Sequence, residues 1–126
     1  MGKILVVDDD TSILEFIEQA LSDQHEVFTS ATVAGAESIT KNSPIDLLIA
    51  DLVIPDKNGI DMIMEFRKTY PDIKILAISG GGGITGRFDY LPIAKLVGAE
   101  DTLKKPFTIS ELRTSINTLL GLCDQD

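Results

Sequence analysis

Four short apolar segments of this chain each lead to a polar side chain that could bind a phosphoryl group or a metal ion. In chain order, these side chains are Asp8 with Asp9, Asp51, Ser79 and Lys105. If the segments are parallel strands of one sheet, their carboxyl ends lie side by side, and residues far apart in the chain form one site at the sheet edge. The pattern therefore predicts a phosphoryl-accepting, magnesium-dependent domain.

The three carboxylates need a counter-charge. Like charges about 4 Å apart repel by about 1 kcal/mol in water and about 4 kcal/mol in a partly buried site. A cation at Asp8, Asp9 and Asp51 removes this cost, and ligation by oxygen without His or Cys favours Mg²⁺ or Mn²⁺ over zinc. Asp51 could then be the nucleophile toward a phosphoryl group, Lys105 could neutralise a further charge, and the Ser79 hydroxyl could donate to a phosphoryl oxygen.

The elements that would position these residues alternate between strand and helix. Apolar runs, typical of strands buried on both faces, predict strands over residues 3–8, 46–51 and 73–79, and shorter strands are predicted over residues 25–29 and 101–104. Apolar residues at helical spacing predict helices over residues 11–22, 32–41, 59–70 and 88–97, and a last helix that stops at Gly121. Turn formers leave residues 52–58 as a loop.

Helix starts are marked by two pairs with the spacing of a capping box. These pairs are Ser12 with Glu15 and Thr108 with Glu111. Asp10, which follows the adjacent acidic pair, is better explained as a helix N-cap than as a ligand.

Five strand-helix units with helices on both faces predict an α/β fold with an open, doubly wound, five-stranded parallel sheet. A closed barrel would need about eight units and roughly 250 residues. A chain of 126 residues is expected to form a single domain over residues 1–126. Ligands of such sheets bind at the carboxyl ends of the central strands, where the chain reverses its winding direction.

Composition limits the partners. A net charge of −9 disfavours direct binding to nucleic acid or to an anionic membrane. No apolar stretch approaches the roughly 20 residues of a membrane-spanning helix, and the N-terminus lacks the pattern of a signal peptide, so a cytoplasmic location is expected. No functional role is predicted for Cys123, the single cysteine.

Together the motifs resemble the receiver domains of two-component response regulators. The matching motifs, which span the chain, are Ile4–Asp9, Asp51 with Pro55 and Gly59 behind it, Ser79, and Lys105-Pro106-Phe107. The resemblance implies a (βα)5 flavodoxin-like sheet with strand order 2-1-3-4-5.

The same resemblance implies roles for single residues. Asp51 would be the phosphoacceptor, and Ser79 and Lys105 would contact the phosphoryl group. The implied magnesium contacts are direct from Asp9, Asp51 and the backbone carbonyl of Val53, and through water from Asp8. The donor would be a phosphohistidine on a sensor histidine kinase or a histidine phosphotransfer protein. The domain would catalyse its own phosphorylation and slow hydrolysis, and would not be an enzyme acting on other substrates.

The output of such a domain is expected to be binding or relay. Phosphorylation would bias a two-state surface toward a downstream partner on the fourth helix, fifth strand and fifth helix, or the group would pass to another histidine protein. Only Leu122–Asp126 follow the final helix. The chain is therefore expected to be a stand-alone receiver or one cut from a longer protein.

Three departures from the family pattern concern the switch. Thr102 stands where the family often has an aromatic residue, three positions before Lys105, so the switch formed by Ser79 and Thr102 lacks a large ring. The loop at Gly80–Gly83 is longer and richer in glycine than is usual in the family, so we expect the surface formed by the fourth helix and fifth strand to order differently on activation. Val53, two residues after Asp51, cannot hydrogen-bond an attacking water through its side chain, which predicts a long-lived phosphoryl group.

One alternative is a small Mg²⁺-dependent phosphatase resembling the haloacid dehalogenase family. Asp8 would then be the nucleophile and Asp10 the acid-base, with Ser79 and Lys105 as phosphate contacts. That family would want further acidic metal ligands after the lysine, whereas Glu100 and Asp101 precede it here, and it would want an inserted cap segment, which the sequence does not contain.

A second alternative is a dinucleotide site. Gly81, Gly83 and Gly86 fit the spacing of the glycine-rich fingerprint. That motif belongs to the first strand-turn-helix unit of a larger fold, and here it occurs in the fourth.

Overall fold

Parallel strands and helices alternate along the chain. The structure, a computed structural model, describes residues 2–54, 57–79 and 91–121. The strands of the main sheet are β1 (Lys3–Val7), β2 (Glu26–Ser30), β3 (Leu47–Asp51), β4 (Lys74–Ser79) and β5 (Asp101–Lys104). The helices are α1 (Thr11–Leu21), α2 (Val33–Asn42), α3 (Gly59–Thr69), α4 (Leu91–Val97) and α5 (Ile109–Leu120).

The strand order in the sheet is β2-β1-β3-β4-β5, and every pair is parallel. This confirms the predicted order 2-1-3-4-5. The chain reverses its winding direction between β1 and β3, so the crevice for a ligand lies at the carboxyl ends of these two strands. Val7 pairs with Ala50, which places Asp8 level with Asp51 at that edge.

The core consists of two apolar layers, one on each face of the sheet. Ile4 and Val6 of β1 face the layer under α1 and α5, whereas Leu5 and Val7 face the layer under α2, α3 and α4. All five residues of β3 are buried. Burial on both faces explains why these strands read as continuous apolar runs, since each fully buried Leu or Ile contributes about 1.5–3 kcal/mol.

At the start of α1 the capping box predicted at Ser12 is wrong, whereas the N-cap role predicted for Asp10 is confirmed. Asp10, in an extended conformation, is the N-cap, and its carboxylate accepts from Ser12 N at 3.0 Å and from Ser12 Oγ at 2.6 Å. The charged carboxylate is the stronger acceptor, and it engages the Ser12 hydroxyl as a donor. The second capping box is confirmed, because Thr108 Oγ1 accepts from Glu111 N and the Glu111 carboxylate accepts from Thr108 N.

The segment after β3 is more ordered than the predicted loop over residues 52–58. Two-residue strands, Val53–Ile54 and Lys57–Asn58, pair antiparallel to each other. Asn58 then caps α3, because its Oδ1 accepts from Ile60 N at 2.8 Å. The turn residue expected at this position thus also serves as the N-cap of the next helix.

Gly59 has a steric role at the start of α3. A Cβ atom placed on it would overlap the backbone of Leu52, which follows Asp51 directly. Only glycine permits this close approach, so α3 packs tightly under the acidic edge.

Some expectations fall on residues outside the described part of the chain. The fourth helix is described from Leu91, with Pro92 in its first turn as predicted, and the predicted residues 88–90 lie outside. The glycine-rich loop at Gly80–Gly83, the fingerprint glycines and Cys123 also lie outside. Among the described helices, none combines the length and the apolar character that crossing a membrane requires.

Candidate functional site

Three aspartates meet at the carboxyl edge of the sheet, as predicted. Asp8 follows β1 directly, and Asp51 is the last residue of β3. One carboxylate oxygen from each of Asp8, Asp9 and Asp51 lies within 4.8 Å of the other two. Asp8 and Asp51 are 0% and 4% exposed, whereas Asp9 is exposed. This arrangement offers a cation two buried ligands and one ligand open to solvent.

Lys105 joins the cluster from the other half of the chain. Its Nζ lies 2.8 Å from Asp8 Oδ2 and 3.7 Å from Asp51 Oδ2. Lys105 N donates to Ser79 O at 2.7 Å, which holds the residue after β5 beside the end of β4. The peptide bond between Lys105 and Pro106 is cis.

The electrostatics keep Lys105 charged. Burial acts to lower the pKa of its ammonium group, but the hydrogen bond to Asp8 and the negative charges of Asp51 and Asp8 outweigh burial and raise that pKa above its ordinary value. The side chain is therefore a permanent cation between two carboxylates at physiological pH.

Ionisation of Asp51 is unfavourable in this cluster. Burial, followed by the negative charge of Asp8, raises the pKa of Asp51 from 3.8 to about 6, although Lys105 and the Val53 N–H act in the opposite direction. The positive charge of Lys105 thus does not fully compensate the negative charge of the aspartates. At neutral pH the Asp51 carboxylate is mostly ionised, and a second cation would relieve the remaining repulsion.

Asp8 is held by partners on both carboxylate oxygens. Its Oδ1 accepts from Asp10 N at 2.9 Å, and its Oδ2 accepts from Lys105 Nζ. Its own N–H donates to Ser30 O at 3.2 Å. The contact from Asp10 N was not predicted, because a backbone donor leaves no signature in the residue type.

The remaining predicted site residues lie near the aspartates and differ in how far they are exposed to solvent. Ser79 ends β4 and is 5% exposed, and Thr102 is half-buried in β5 beside Ala77. Val53 projects its side chain outward, 62% exposed, while its N–H reaches Asp51 Oδ1 at 3.4 Å. Ser79 therefore borders the cluster from β4, and Val53 flanks Asp51 on the solvent side.

The donor chemistry fits a hard divalent cation. All side-chain ligands in the cluster are carboxylate oxygens, the type that Mg²⁺ and Mn²⁺ prefer. Two of the three carboxylates are buried, so their mutual repulsion is large enough for a bound cation to relieve.

The comparison of the chain with known families decides its membership. A family model described as the response regulator receiver domain matches residues 4–117. The chain belongs to this family. The resemblance seen in the strand-end motifs is thereby confirmed, and this receiver domain carries the fold of two-component response regulators.

Curated relatives of the receiver domain are larger proteins. The DNA-binding transcriptional regulator NtrC of Azospirillum brasilense is 32% identical over 127 residues, covering 94% of this chain and 24% of the relative. The response regulator SaeR of Staphylococcus aureus is 31% identical over 121 residues, covering 95% of this chain and 51% of the relative. The receiver domain thus spans from about a quarter to about half of these regulators' lengths.

Solved structures share the whole fold. A response regulator receiver domain protein from Clostridium thermocellum superposes with a TM-score of 0.84 at 32% identity, covering 97% of this chain and 96% of that chain. A CheY-like receiver domain protein from Methanospirillum hungatei also gives 0.84, at 27% identity, covering 97% and 95%. These matches do not favour the phosphatase alternative, and Asp10, its expected acid-base, is the N-cap of α1.

Proposed function

We propose that this receiver domain accepts a phosphoryl group on Asp51. The observation that carries the proposal is the difference between Asp51 and the other buried carboxylate, Asp8. Asp8 has short hydrogen bonds to both oxygens, from Asp10 N and Lys105 Nζ, whereas the contacts of Asp51 with Val53 N and Lys105 Nζ are 3.4 and 3.7 Å long. The oxygens of Asp51 are thus held less tightly than those of Asp8, which favours attack on phosphorus by Asp51.

The transfer needs a donor with a good leaving group, and a phosphohistidine on a sensor histidine kinase or a phosphotransfer protein supplies it. The P–N bond of the donor breaks as a P–O bond to Asp51 forms. The electron pair returns to the donor imidazole, which takes up a proton from water. The Lys105 ammonium offsets charge on the phosphoryl oxygens, and the Ser79 hydroxyl donates to one of them.

Mg²⁺ fits the acidic cluster, and Mn²⁺ could replace it. Asp9, Asp51 and the backbone carbonyl of Val53 would hold the ion directly, with Asp8 acting through water. Support for the indirect role of Asp8 comes from its two oxygens, each of which already accepts a hydrogen bond. When bound, the ion would screen the negative charge of the carboxylates and of the incoming phosphoryl group.

Phosphorylation would act through the surface formed by α4, β5 and α5. It adds about two negative charges at the sheet edge and biases a two-state surface. Apolar side chains are available there for a protein partner, since Leu96 of α4 is 85% exposed and Ile109 of α5 is 44% exposed. The net charge of −9 argues against direct contact of this domain with nucleic acid.

Incubation with acetyl phosphate and Mg²⁺ tests the proposal. The purified domain should gain the mass of one phosphoryl group, Asp51→Asn should gain none, and Asp72→Asn, at an exposed turn, should behave like the unsubstituted domain. The phosphatase alternative predicts that the domain hydrolyses p-nitrophenyl phosphate, and that Asp8→Asn loses this activity while Asp51→Asn keeps it. That result would contradict phosphoryl transfer to Asp51.

A further inference from the structure

Asp10 connects the first turn of α1 to the acidic cluster. Its carboxylate accepts from Ser12 N at 3.0 Å and from Ser12 Oγ at 2.6 Å. Its carbonyl accepts from Ile13 N at 3.0 Å and from Leu14 N at 3.2 Å, which begins the helix. Asp10 is therefore fixed to α1 by both its side chain and its backbone.

The same residue reaches back to Asp8. Asp10 N donates to Asp8 Oδ1 at 2.9 Å, while Lys105 Nζ occupies Asp8 Oδ2. The two oxygens of the Asp8 carboxylate thus accept hydrogen bonds from different elements, one from the residue that follows β5 and one from the N-cap of α1. Asp9 lies between Asp8 and Asp10, so its backbone is held at both neighbours.

We infer that Asp10 is a positioning residue, whose capping of α1 fixes the turn that presents Asp8 and Asp9 to a divalent cation. Ligands of a metal site depend on the groups that orient them, and loss of such a group typically weakens metal binding about 10- to 100-fold. The inference rests on the proposed function, because it concerns the cation of that same site.

A purely electrostatic role for Asp10 is the competing explanation. Its carboxylate is exposed and lies beside the cluster, so its negative charge alone could attract a cation. The two explanations separate by substitution. Asparagine and serine are good N-caps without charge, whereas alanine can neither cap nor carry charge.

The experiment compares Asp10→Ala, Asp10→Asn and Asp10→Ser in the full chain. Binding of Mn²⁺ alone, followed by its EPR signal without any phosphodonor, gives the affinity. Exchange of the backbone amide at position 10 in the metal-free protein reports the hydrogen bond to Asp8. Thr32→Ala is the matched control, because Thr32 caps α2 in the same way, with its side chain on Gly35 N.

The expected result is a loss of about tenfold in Mn²⁺ affinity for Asp10→Ala, with affinity close to that of the unsubstituted domain in the Asn and Ser variants. The position-10 amide should exchange slowly except in Asp10→Ala. Thr32→Ala should keep its Mn²⁺ affinity despite the lost cap. If Asp10→Ala does not fold, Ser12→Ala, which removes the Oγ contact, should show a smaller loss in the same direction.

Three results would overturn the inference. Asp10→Asn binding Mn²⁺ as weakly as Asp10→Ala would show that charge matters and the cap does not. Unchanged affinity in Asp10→Ala, or an amide that exchanges equally fast in all variants, would show that the cap does not hold the turn. Failure of the unsubstituted domain to bind Mn²⁺ while its position-10 amide is protected would instead count against the proposed metal site.

Discussion

Lys105 Nζ lies 2.8 Å from Asp8 Oδ2, although 97 residues separate the two in the chain. The lysine side chain is 18% exposed and the aspartate side chain 0%, so the pair is largely removed from water. The same ammonium group lies 3.7 Å from Asp51 Oδ2. A single cation thus serves two buried carboxylates, which leaves the site with an excess of negative charge.

We predict that Asp51→Asn stabilises the metal-free domain. In the folded protein the pKa of the Asp51 carboxyl group is raised from 3.8 to about 6. Between these two pH values the folded state therefore binds more protons than the unfolded state. Stability therefore falls as pH rises through this window, and the full penalty is present above pH 6. Removing the charge should raise the free energy of unfolding at pH 7.5 by about 1–2 kcal/mol, after allowance for solvent screening.

Urea denaturation in the presence of EDTA measures this gain. The gain should shrink toward pH 4, where the Asp51 carboxyl group is protonated in the folded state. Asp72→Asn, at an exposed turn, should change little at either pH. A metal-free Asp51→Asn domain less stable than the unsubstituted one at pH 7.5 would contradict the described electrostatics.

Val53 is predicted to prolong the life of the phosphoryl group. Its side chain is 62% exposed beside Asp51 and has no polar atom to orient an attacking water. Val53→Asn should shorten the half-life of the phosphorylated domain by about threefold or more, because a positioned polar group assists attack by water. The measurement is loss of the phosphoryl group after removal of the donor.

Val53→Ala is the control for water access. If alanine shortens the half-life as much as asparagine, exclusion of water rather than the missing hydrogen bond explains the effect. A half-life of only seconds in the unsubstituted domain would show that Val53 does not protect the group.

His25 is predicted to make stability depend on pH at the opposite edge of the sheet. It is 5% exposed, and its Nδ1 accepts from Gly2 N at 2.9 Å. Burial lowers the pKa of His25 below 6.5, the positive N-terminus lowers it further, and Asp23 acts in the opposite direction. Below pH 6.5 the imidazole of His25 therefore takes up a proton more readily in the unfolded chain than in the folded chain. The free energy of unfolding consequently falls as the pH decreases below 6.5.

His25→Asn isolates this effect, because asparagine offers an acceptor to Gly2 N and does not titrate. The free energy of unfolding should fall less steeply from pH 7.5 to pH 5.5 in the variant than in the unsubstituted domain. Parallel curves over that range would rule out a buried neutral histidine.

Gly59→Ala is predicted to destabilise the domain by about 1–3 kcal/mol, since overpacking against backbone cannot be relieved by a rotamer change. The added methyl group would overlap Leu52, next to Asp51. Gly35→Ala is the comparison, because its methyl group would meet the Ser30 hydroxyl, a side-chain group that can rotate away at the cost of its hydrogen bond to Thr32 O. Urea denaturation of both variants measures the difference, and an equal loss would show that Leu52 yields as easily as Ser30.

The positions of the site residues could be predicted because few physical rules determine them. All five residues of β3 are buried, so a continuous apolar run identifies this strand and places Asp51 at its end. Parallel pairing then brings Asp8 and Lys105 to the same edge. The reciprocal bonds of Thr108 and Glu111 match the capping-box spacing, although the same spacing at Ser12 and Glu15 gave a wrong prediction.

Contacts made by backbone atoms, or by distant side chains that no strand end brings together, could not be predicted. The donor to Asp8 Oδ1 is the N–H of Asp10, a group that every residue except proline carries. Arg67, whose guanidinium group contacts both carboxylate oxygens of Glu100 at 2.6 and 2.7 Å, lies 33 residues away from it in the chain. No local spacing rule links positions so far apart.

The central claim is that Asp51 carries the phosphoryl group, and chemical trapping tests it most directly. The domain is incubated with acetyl phosphate and Mg²⁺, the acyl phosphate is reduced with borohydride, and mass spectrometry of the peptides locates the reduced residue. We expect reduction at position 51 and nowhere else. Reduction at Asp8 or Asp9, with Asp51 recovered unchanged, would contradict the account.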